Sequence, residues 1–537
     1  MSDSGDGMEP ADEAASADAD AAAGDVSALA RGGALNLAGA VVSSVGAFAL
    51  YVVLARGLGR GAAGAFVESI AIFQILAITA ALGADTGLVW AISRSLARHR
   101  AADVRRFIAV AVVPVAAAGA VVAGAIWVWA ADLATLFGGE DHREAIASTL
   151  RVFTVVVPVA ALYHVLLGGT RGFSTMVPTV FVDRFARPFV QPVAVGVILA
   201  AGGSATVLAL GWSLPFVIGL VAATAYLTRL VRRSMRRGAA TDNEPVRSVR
   251  VLAGRFWRFT LPRSVASIFR VGVQWIDVLL VGAIMSPADA ALYGYGTRLL
   301  QFGLFVAVSV GQVAQPMFGG LLAAQQRDRA RSVYQTATGW QVAITWPQYI
   351  VAAFFGALLL RTIFGGAYVE AAPVVAILAL STMVGAAAGP VDMLLLMAGK
   401  STWSLWNTGA TLATNVGLNI VLIPRYGIVG AAISWSISRL LANALPLLQV
   451  ARHVGLHPFG RGVGLASTGS AAIFGALGLA AWLIDDKSGW VFLAYVVVAG
   501  AGYVVFLRRY REELDLSHAW QAFRRKRKRV RVPSTHT

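Results

Sequence analysis

The chain has 537 residues, 57% of them hydrophobic and only 14% charged, with no cysteine and a formal net charge of +17. This balance excludes disulfides, thiolate metal sites and an ordinary soluble multidomain enzyme, and it fits an all-α polytopic membrane protein. A basic excess suits nucleic acid, anionic lipid or a topology signal, and the positions of the basic residues choose between them.

Residues 1–30 hold eight acidic residues and no Lys or Arg, which marks a disordered acidic tail with too little apolar surface to form a core. The positive n-region of a secretory signal is absent, so the first apolar run counts as a span. Fourteen apolar runs follow, near 34–55, 64–92, 107–130, 152–169, 176–201, 205–228, 259–284, 290–318, 338–362, 371–398, 403–423, 428–449, 463–484 and 489–507. Each suits a hydrocarbon layer of roughly 30 Å, which a helix crosses in about 20 residues.

Lys and Arg separate cleanly on alternate loops. One set carries twenty-one, among them Arg94, Arg98, Arg100, Arg105, Arg106, Arg255 and Arg258, and the other carries seven. Cytoplasmic loops retain such residues, so both termini are expected in the cytoplasm and the chain in the plasma membrane. The basic run Arg524–Arg529 then lies just cytoplasmic of the last span, where anionic head groups suit it better than nucleic acid.

A repeat runs through the chain. Phe66 and Tyr293, Gln74 and Gln301, and Phe137 and Phe364 in their FGG motifs are all 227 residues apart. That offset covers an even number of spans, so both copies keep one orientation and predict two six-helix lobes around a central cavity, plus two C-terminal helices. The expected divisions are an acidic tail at 1–30, an N-lobe at 31–228 and a basic linker at 229–258. A C-lobe at 259–449, the last two spans within 450–507 and a basic tail at 508–537 complete them.

Six arginines fall inside the assigned spans: Arg184, Arg187, Arg263, Arg270, Arg298 and Arg439. A charge at the bilayer centre costs at least about 2.5–3.5 kcal/mol, so such residues face a hydrated cavity, a partner or a substrate. Arg263, Arg270 and Asp277 are spaced by seven, with Ser267 and Gln274 between them, and they share one stripe of the seventh span. Arg298, Gln301, Gln312 and Gln315 mark a face of the eighth. Asn407, Thr411, Thr414, Asn415 and Asn419 mark one of the eleventh. Each stripe fits either a cavity wall or helix–helix adhesion, in which Arg270 would pair with Asp277 or Asp392. Five acids inside the spans against six arginines tilt the set toward an anionic ligand. Arg184, Arg187 and Arg263 lie near span ends, where long stems reach the interface. Arg31 opens the first span at the cavity mouth or anchors its topology, and Asp85 and Glu68 are candidates for ion coupling. Pro188, Pro192 and Pro390 are expected to bend their helices.

The runs YVVLARGLGRGAAGAF, QWIDVLLVGAIMSPADAALYGYGTRL, MAGKSTWSLWN and NIVLIPRYGIVGAAISWSIS resemble polysaccharide transporters and lipid-linked oligosaccharide flippases of the multidrug, oligosaccharidyl-lipid and polysaccharide exporter superfamily. The resemblance extends from Arg31 to Arg508. It implies alternating access that turns a polyprenyl-diphosphate-linked glycan from the cytoplasmic to the outer leaflet, in work shared with polysaccharide-assembly proteins. It also implies that Arg270 and Arg298 meet the diphosphate, with Arg31, Arg263 and Arg439 as weaker candidates, and Gln274, Asp277, Gln301, Asn407 and Asn415 as polar contacts. Guanidinium suits that role because its planar fork binds phosphate oxygens bidentately. A lipid II flippase and a cation-coupled drug exporter are the nearest alternatives. A membrane glycosyltransferase would need carboxylates or metal ligands on a large loop, and none is in view. No cofactor, metal or catalytic residue is expected.

Overall fold

The computed structural model describes residue 39 and residues 41–514, apart from 99 and 239–247. Arg31, the acidic tail and the Arg524–Arg529 run lie outside the described residues. All regular structure among those described is helical. A helix satisfies every backbone N–H and C=O within its own segment, as a hydrocarbon solvent requires.

The N-terminal half contains α1 (Val41–Gly57), α2 (Arg60–Ala81), α3 (Ala84–Ala97), α4 (Ala101–Arg171), α5 (Arg187–Ala200) and α6 (Ala205–Gly238). The C-terminal half contains α7 (Val249–Ile284), α8 (Pro287–Arg298), α9 (Gln301–Ala323), α10 (Arg327–Ile363), α11 (Ala372–Ala386), α12 (Val391–Met397) and α13 (Ser401–His453). Then come α14 (Arg461–Ser470), α15 (Ala476–Asp485) and α16 (Gly489–Arg509).

Two of these helices are hairpins. A straight α4 would set residues 119 and 158 about 58 Å apart, yet a Cβ on Gly119 would fall 2.8 Å from the Pro158 Cα. The helix therefore folds back on itself, and the stretch between the apolar runs 107–130 and 152–169 is helical as well. In α13 the reversal occurs at Gly427 (φ 58°, ψ −141°), a conformation open to glycine and costly for other residues. Ten stretches among the described residues are long and apolar enough to cross a membrane. Together with α1, α5 and its preceding turn, the α8–α9 pair and the second arm of α13, they account for the fourteen crossings.

Interruptions fall where the chemistry predicts them. The Pro188 and Pro192 region opens with a π-helical turn over Thr179–Ala186, since a proline ring crowds the carbonyl four residues back. Gly389 (φ 62°) and Pro390 separate α11 from α12. Leu82 (φ 50°) and Gly83 (φ 67°) separate α2 from α3.

The duplication is visible in the helix limits. α1 ends at Gly57 and α7 at Ile284, while α2 begins at Arg60 and α8 at Pro287, each pair 227 residues apart. The six-helix lobes meet along α2, α7 and α8. At Gly64 an added Cβ would lie 1.7 Å from the Pro287 carbonyl oxygen, so backbone touches backbone there. At the end away from the arginine-rich loops, Arg56 Nε donates to the Ile363 carbonyl at 2.9 Å, and Arg60 forms a two-pronged pair with Glu370 at 3.0 and 3.2 Å. At the arginine-rich end Trp90 of α3 stacks on Phe259 of α7 at 4.4 Å. A core from Leu50 to Ala432 runs through both lobes. The last two spans seat Phe474, Tyr495 and Tyr503 against Ile350 and Phe355 of α10.

Candidate functional site

A cavity of about 620 Å³ opens among α7, α8, α9, α10, α11, α12 and α13, and its lining among the described residues runs from Arg270 to Pro446. It is thus carved into the C-terminal lobe. Of the residues singled out from sequence, it gathers Arg270, Gln274, Asp277, Arg298, Gln301, Arg439 and Asn407. Arg263, Asn415, Asp85 and Glu68 lie elsewhere.

Arg298 is the most constrained of the three cavity arginines. It ends α8, where a guanidinium complements the helix dipole, and it is only 6% exposed. Its guanidinium carbon stands 4.2 Å from the Tyr51 ring centre and 5.1 Å from that of Trp275. Aromatic faces flank the cation, and among the described residues its Nε is left without a hydrogen-bond partner and the guanidinium forms no ion pair.

Arg270 is exposed on the cavity wall and, among the described residues, donates to Ser267 Oγ alone, at 3.2 Å. Arg439 presents an unpartnered buried Nε with its guanidinium 5.9 Å from the Trp435 ring. The acids nearby do not neutralise these cations. Asp277, 3% exposed, accepts from Asn415 Nδ2 at 2.8 Å and Asn419 Nδ2 at 2.7 Å, and Asp392 accepts from Ser404 Oγ at 2.7 Å. The pairing of Arg270 with Asp277 or Asp392, one of the two sequence-based readings, does not occur.

The polar stripe of the eleventh span divides by depth. Asn415 is fully buried and outside the cavity, because its amide is committed to Asp277. Asn407 lines the cavity while exchanging hydrogen bonds with Gln449 at 2.8 and 2.9 Å across the α13 hairpin. Gln274 and Gln301 line the cavity with no hydrogen bond among the described residues. Sequence reasoning missed Gln341 and Tyr293, whose Oε1 and hydroxyl are buried without partners in the same wall. It missed Tyr51 and Trp275 as well, since an aromatic residue inside an apolar run gives no signal.

Arg263 lies outside the cavity, with its guanidinium 3.8 Å over the Phe259 ring. The proposed coupling acids have contrasting surroundings. Asp85 pairs with Arg171 at 3.3 Å. Glu68 is fully buried where α2 meets α7; an added Cβ on Gly282 would fall 1.7 Å from its Oε1, and neither carboxyl oxygen has a hydrogen-bond partner among the described residues. A second charged network joins Arg187 and Asp183 at 3.1 Å, with the Tyr163 hydroxyl donating to the same Asp183 oxygen at 3.0 Å. No cluster of metal-ligating residues occurs among the described residues.

A family profile described as "Polysaccharide biosynthesis protein" matches residues 53–373. The uncharacterized membrane protein YabM of Bacillus subtilis (strain 168) is 24% identical over 388 residues, which is 69% of this chain and 70% of that protein. Among solved structures, the lipid II flippase MurJ in its inward closed conformation matches with a TM-score of 0.70 at 12% identity, over 89% of this chain and 98% of its own. The inward-facing conformation of a multidrug resistance MATE family transporter of the MOP superfamily matches at 0.62 and 14% identity, over 77% and 95%. At such identities the likeness establishes a shared fold.

Proposed function

The chain belongs to the polysaccharide biosynthesis protein family and is a multi-span membrane protein with a flippase and transporter fold; on that footing we propose that it turns a polyprenyl-diphosphate-linked oligosaccharide from the cytoplasmic to the outer leaflet of the plasma membrane. In this reading both termini and the arginine-rich loops are cytoplasmic, and the glycan serves cell-surface polysaccharide or glycoconjugate synthesis.

The observation that supports it most is Arg298, held by two rings in the cavity wall with no carboxylate paired to it among the described residues. A desolvated, uncompensated guanidinium is a receptor for a phosphoryl oxygen. Arg270 and Arg439 give the diphosphate further cationic contacts, and Gln274, Gln301 and Gln341 offer amides to the first sugars. A drug exporter selective for cations would find this wall repulsive. Lipid II carries the same diphosphate, and only the sugar-facing side chains would tell it from another glycan.

Alternating access follows if the lobes part at one end while the other stays fastened, so that the diphosphate exchanges water for arginine on one side and returns to water on the other. Glu68, a carboxyl with no partner at the lobe junction, is the candidate for the ion-linked step, since separating α2 from α7 hydrates it. Asp85, already paired with Arg171, is the weaker candidate.

The test is reconstitution into vesicles with a panel of polyprenyl-diphosphate glycans, lipid II among them, under imposed proton or sodium gradients. Translocation that is abolished by Arg298→Ala and Arg270→Ala in folded protein is the expected result. Full activity of both variants would make these arginines structural and overturn the reading.

A further inference from the structure

A second pocket, of about 480 Å³, lies at the arginine-rich end between α3 and α7, away from the cavity. Its floor is the Trp90–Phe259 stack, and around it stand Arg94 and Arg98 from the N-terminal lobe and Arg255 and Arg258 from the C-terminal lobe. All four arginines are exposed, and none forms a hydrogen bond or ion pair among the described residues. Asp103 is the single carboxylate in the lining, and it is already bound by Arg100 at 2.8 Å.

The aromatic floor is itself braced by cations. Trp90 lies nearly parallel to Phe259, at 15° and 4.4 Å, while the Arg263 guanidinium lies 3.8 Å from the same Phe259 ring centre. Both cannot occupy one face, so Phe259 is sandwiched between them. Arg94 approaches the Trp90 ring at 5.8 Å. Aromatic faces accept one cation each at such distances, which leaves the remaining positive charge of the ring of arginines without a counter-charge.

A loop that merely fixed topology would need positive charge anywhere near the interface. Here two guanidinium groups from each lobe instead converge on a concave, aromatic-floored space in the usual size range of ligand sites, about 300–1,000 Å³. We infer that this pocket is a second binding site for a phosphoryl anion, separate from the cavity, and that an anion held there ties α3 to α7 and favours the arrangement in which this end of the lobes is closed. Two sources supply that chemistry: the head group of an anionic phospholipid in the adjoining leaflet, or a soluble diphosphate. The inference concerns this pocket alone and stands whether or not the cavity carries a lipid-linked glycan.

The experiment uses the full chain in nanodiscs of neutral phosphatidylcholine, titrated with inorganic pyrophosphate by calorimetry. Arg94→Gln, Arg98→Gln, Arg255→Gln and Arg258→Gln are combined in one variant, and an equal charge is removed from the same end outside the pocket by Arg232→Gln, Arg233→Gln, Arg327→Gln and Arg329→Gln. A third variant carries Arg270→Gln in the cavity. These positions are exposed, and gel filtration with circular dichroism checks each fold.

Saturable binding that weakens about tenfold or more only in the pocket variant is the expected result. Equal weakening in both fourfold variants would reduce the effect to diffuse surface charge, and weakening only with Arg270→Gln would place the anion in the cavity; either overturns the inference, as does the absence of saturable binding. Repeating the titration with phosphatidylglycerol in the disc assigns the source. Competition identifies a lipid head group, and unchanged pyrophosphate binding identifies a soluble anion.

Discussion

The Arg298 guanidinium carbon stands 4.2 Å from the centre of the Tyr51 ring, although the two residues belong to different lobes. α8 carries the cation and α1 carries the ring, so the electrostatics of the cavity wall depend on how the lobes sit. Moving the lobes apart removes one of the two aromatic faces that shelter Arg298 and lets water reach its edge. A ligand bound at Arg298 and the relative position of the lobes are therefore linked, and linkage of this kind is reciprocal.

Replacing Tyr51 tests that link directly. A desolvated cation–π contact is worth about 2 kcal/mol. Tyr51→Leu should slow translocation by about tenfold or more and also lower the thermal midpoint, because the ring is buried in the core, whereas Tyr51→Phe should retain most activity and most stability. Comparable rates for Tyr51→Leu and wild type in a vesicle assay would show that the ring is incidental.

Charge alone should not replace Arg298. Arg298→Lys keeps a cation but loses both the flat surface that lies on Tyr51 and Trp275 and the bidentate fork. We expect translocation below about a tenth of wild type, with Arg298→Ala lower still, measured by the same assay at constant ionic strength.

Asp277 and its two asparagines form a structural knot. Asp277→Leu leaves the buried amides of Asn415 and Asn419 without their shared acceptor, and an unsatisfied buried polar group costs about 1–3 kcal/mol. The thermal midpoint in detergent should fall clearly, and Asn415→Ala should lower it as well. A binding role for Asn415 would instead appear as lost substrate affinity at unchanged stability.

Gly64 is where backbone meets backbone across the lobe junction. A methyl group there would meet the Pro287 carbonyl oxygen at 1.7 Å, and backbone cannot yield as a side chain can. Gly64→Ala should force α2 and α8 apart at a cost of about 1–3 kcal/mol, seen as a lower thermal midpoint. The same substitution at Gly254, which faces open space, should be silent.

Glu68→Gln preserves size and removes the ionisable group. If separation of α2 from α7 is coupled to an ion through this carboxyl, the variant should still translocate downhill but lose its response to an imposed proton gradient. An undiminished response would remove Glu68 from the coupling scheme.

The spans were readable because each must hide about 20 residues' worth of backbone from lipid, and a duplication leaves a fixed offset wherever the two copies were not edited. The convergence of Arg270, Gln274 and Asp277 was readable because helical spacing fixes which residues share a face. Partner choice was not. A stripe of amides is the same signal whether it meets sugar, water or Asp277, and only the crossing of α7 with α13 sends Asn415 inward. The Asp85–Arg171 pair and the solitary Glu68 looked alike in sequence, since the residues that distinguish them lie far along the chain. Tyr51 was invisible for the same reason.

The two ends of the lobe junction are fastened by different forces. The Arg60–Glu370 pair is water-exposed, and dissolved ions compete with it over a screening length of about 8 Å at physiological strength. The Trp90–Phe259 stack is held by apolar contact, which added salt does not weaken. Brine should therefore pull the two ends in opposite directions, slackening the clasp at the Glu370 end while easing the repulsion among the four arginines around the ring stack, so that the protein's resting posture drifts with the medium without any change in its sequence.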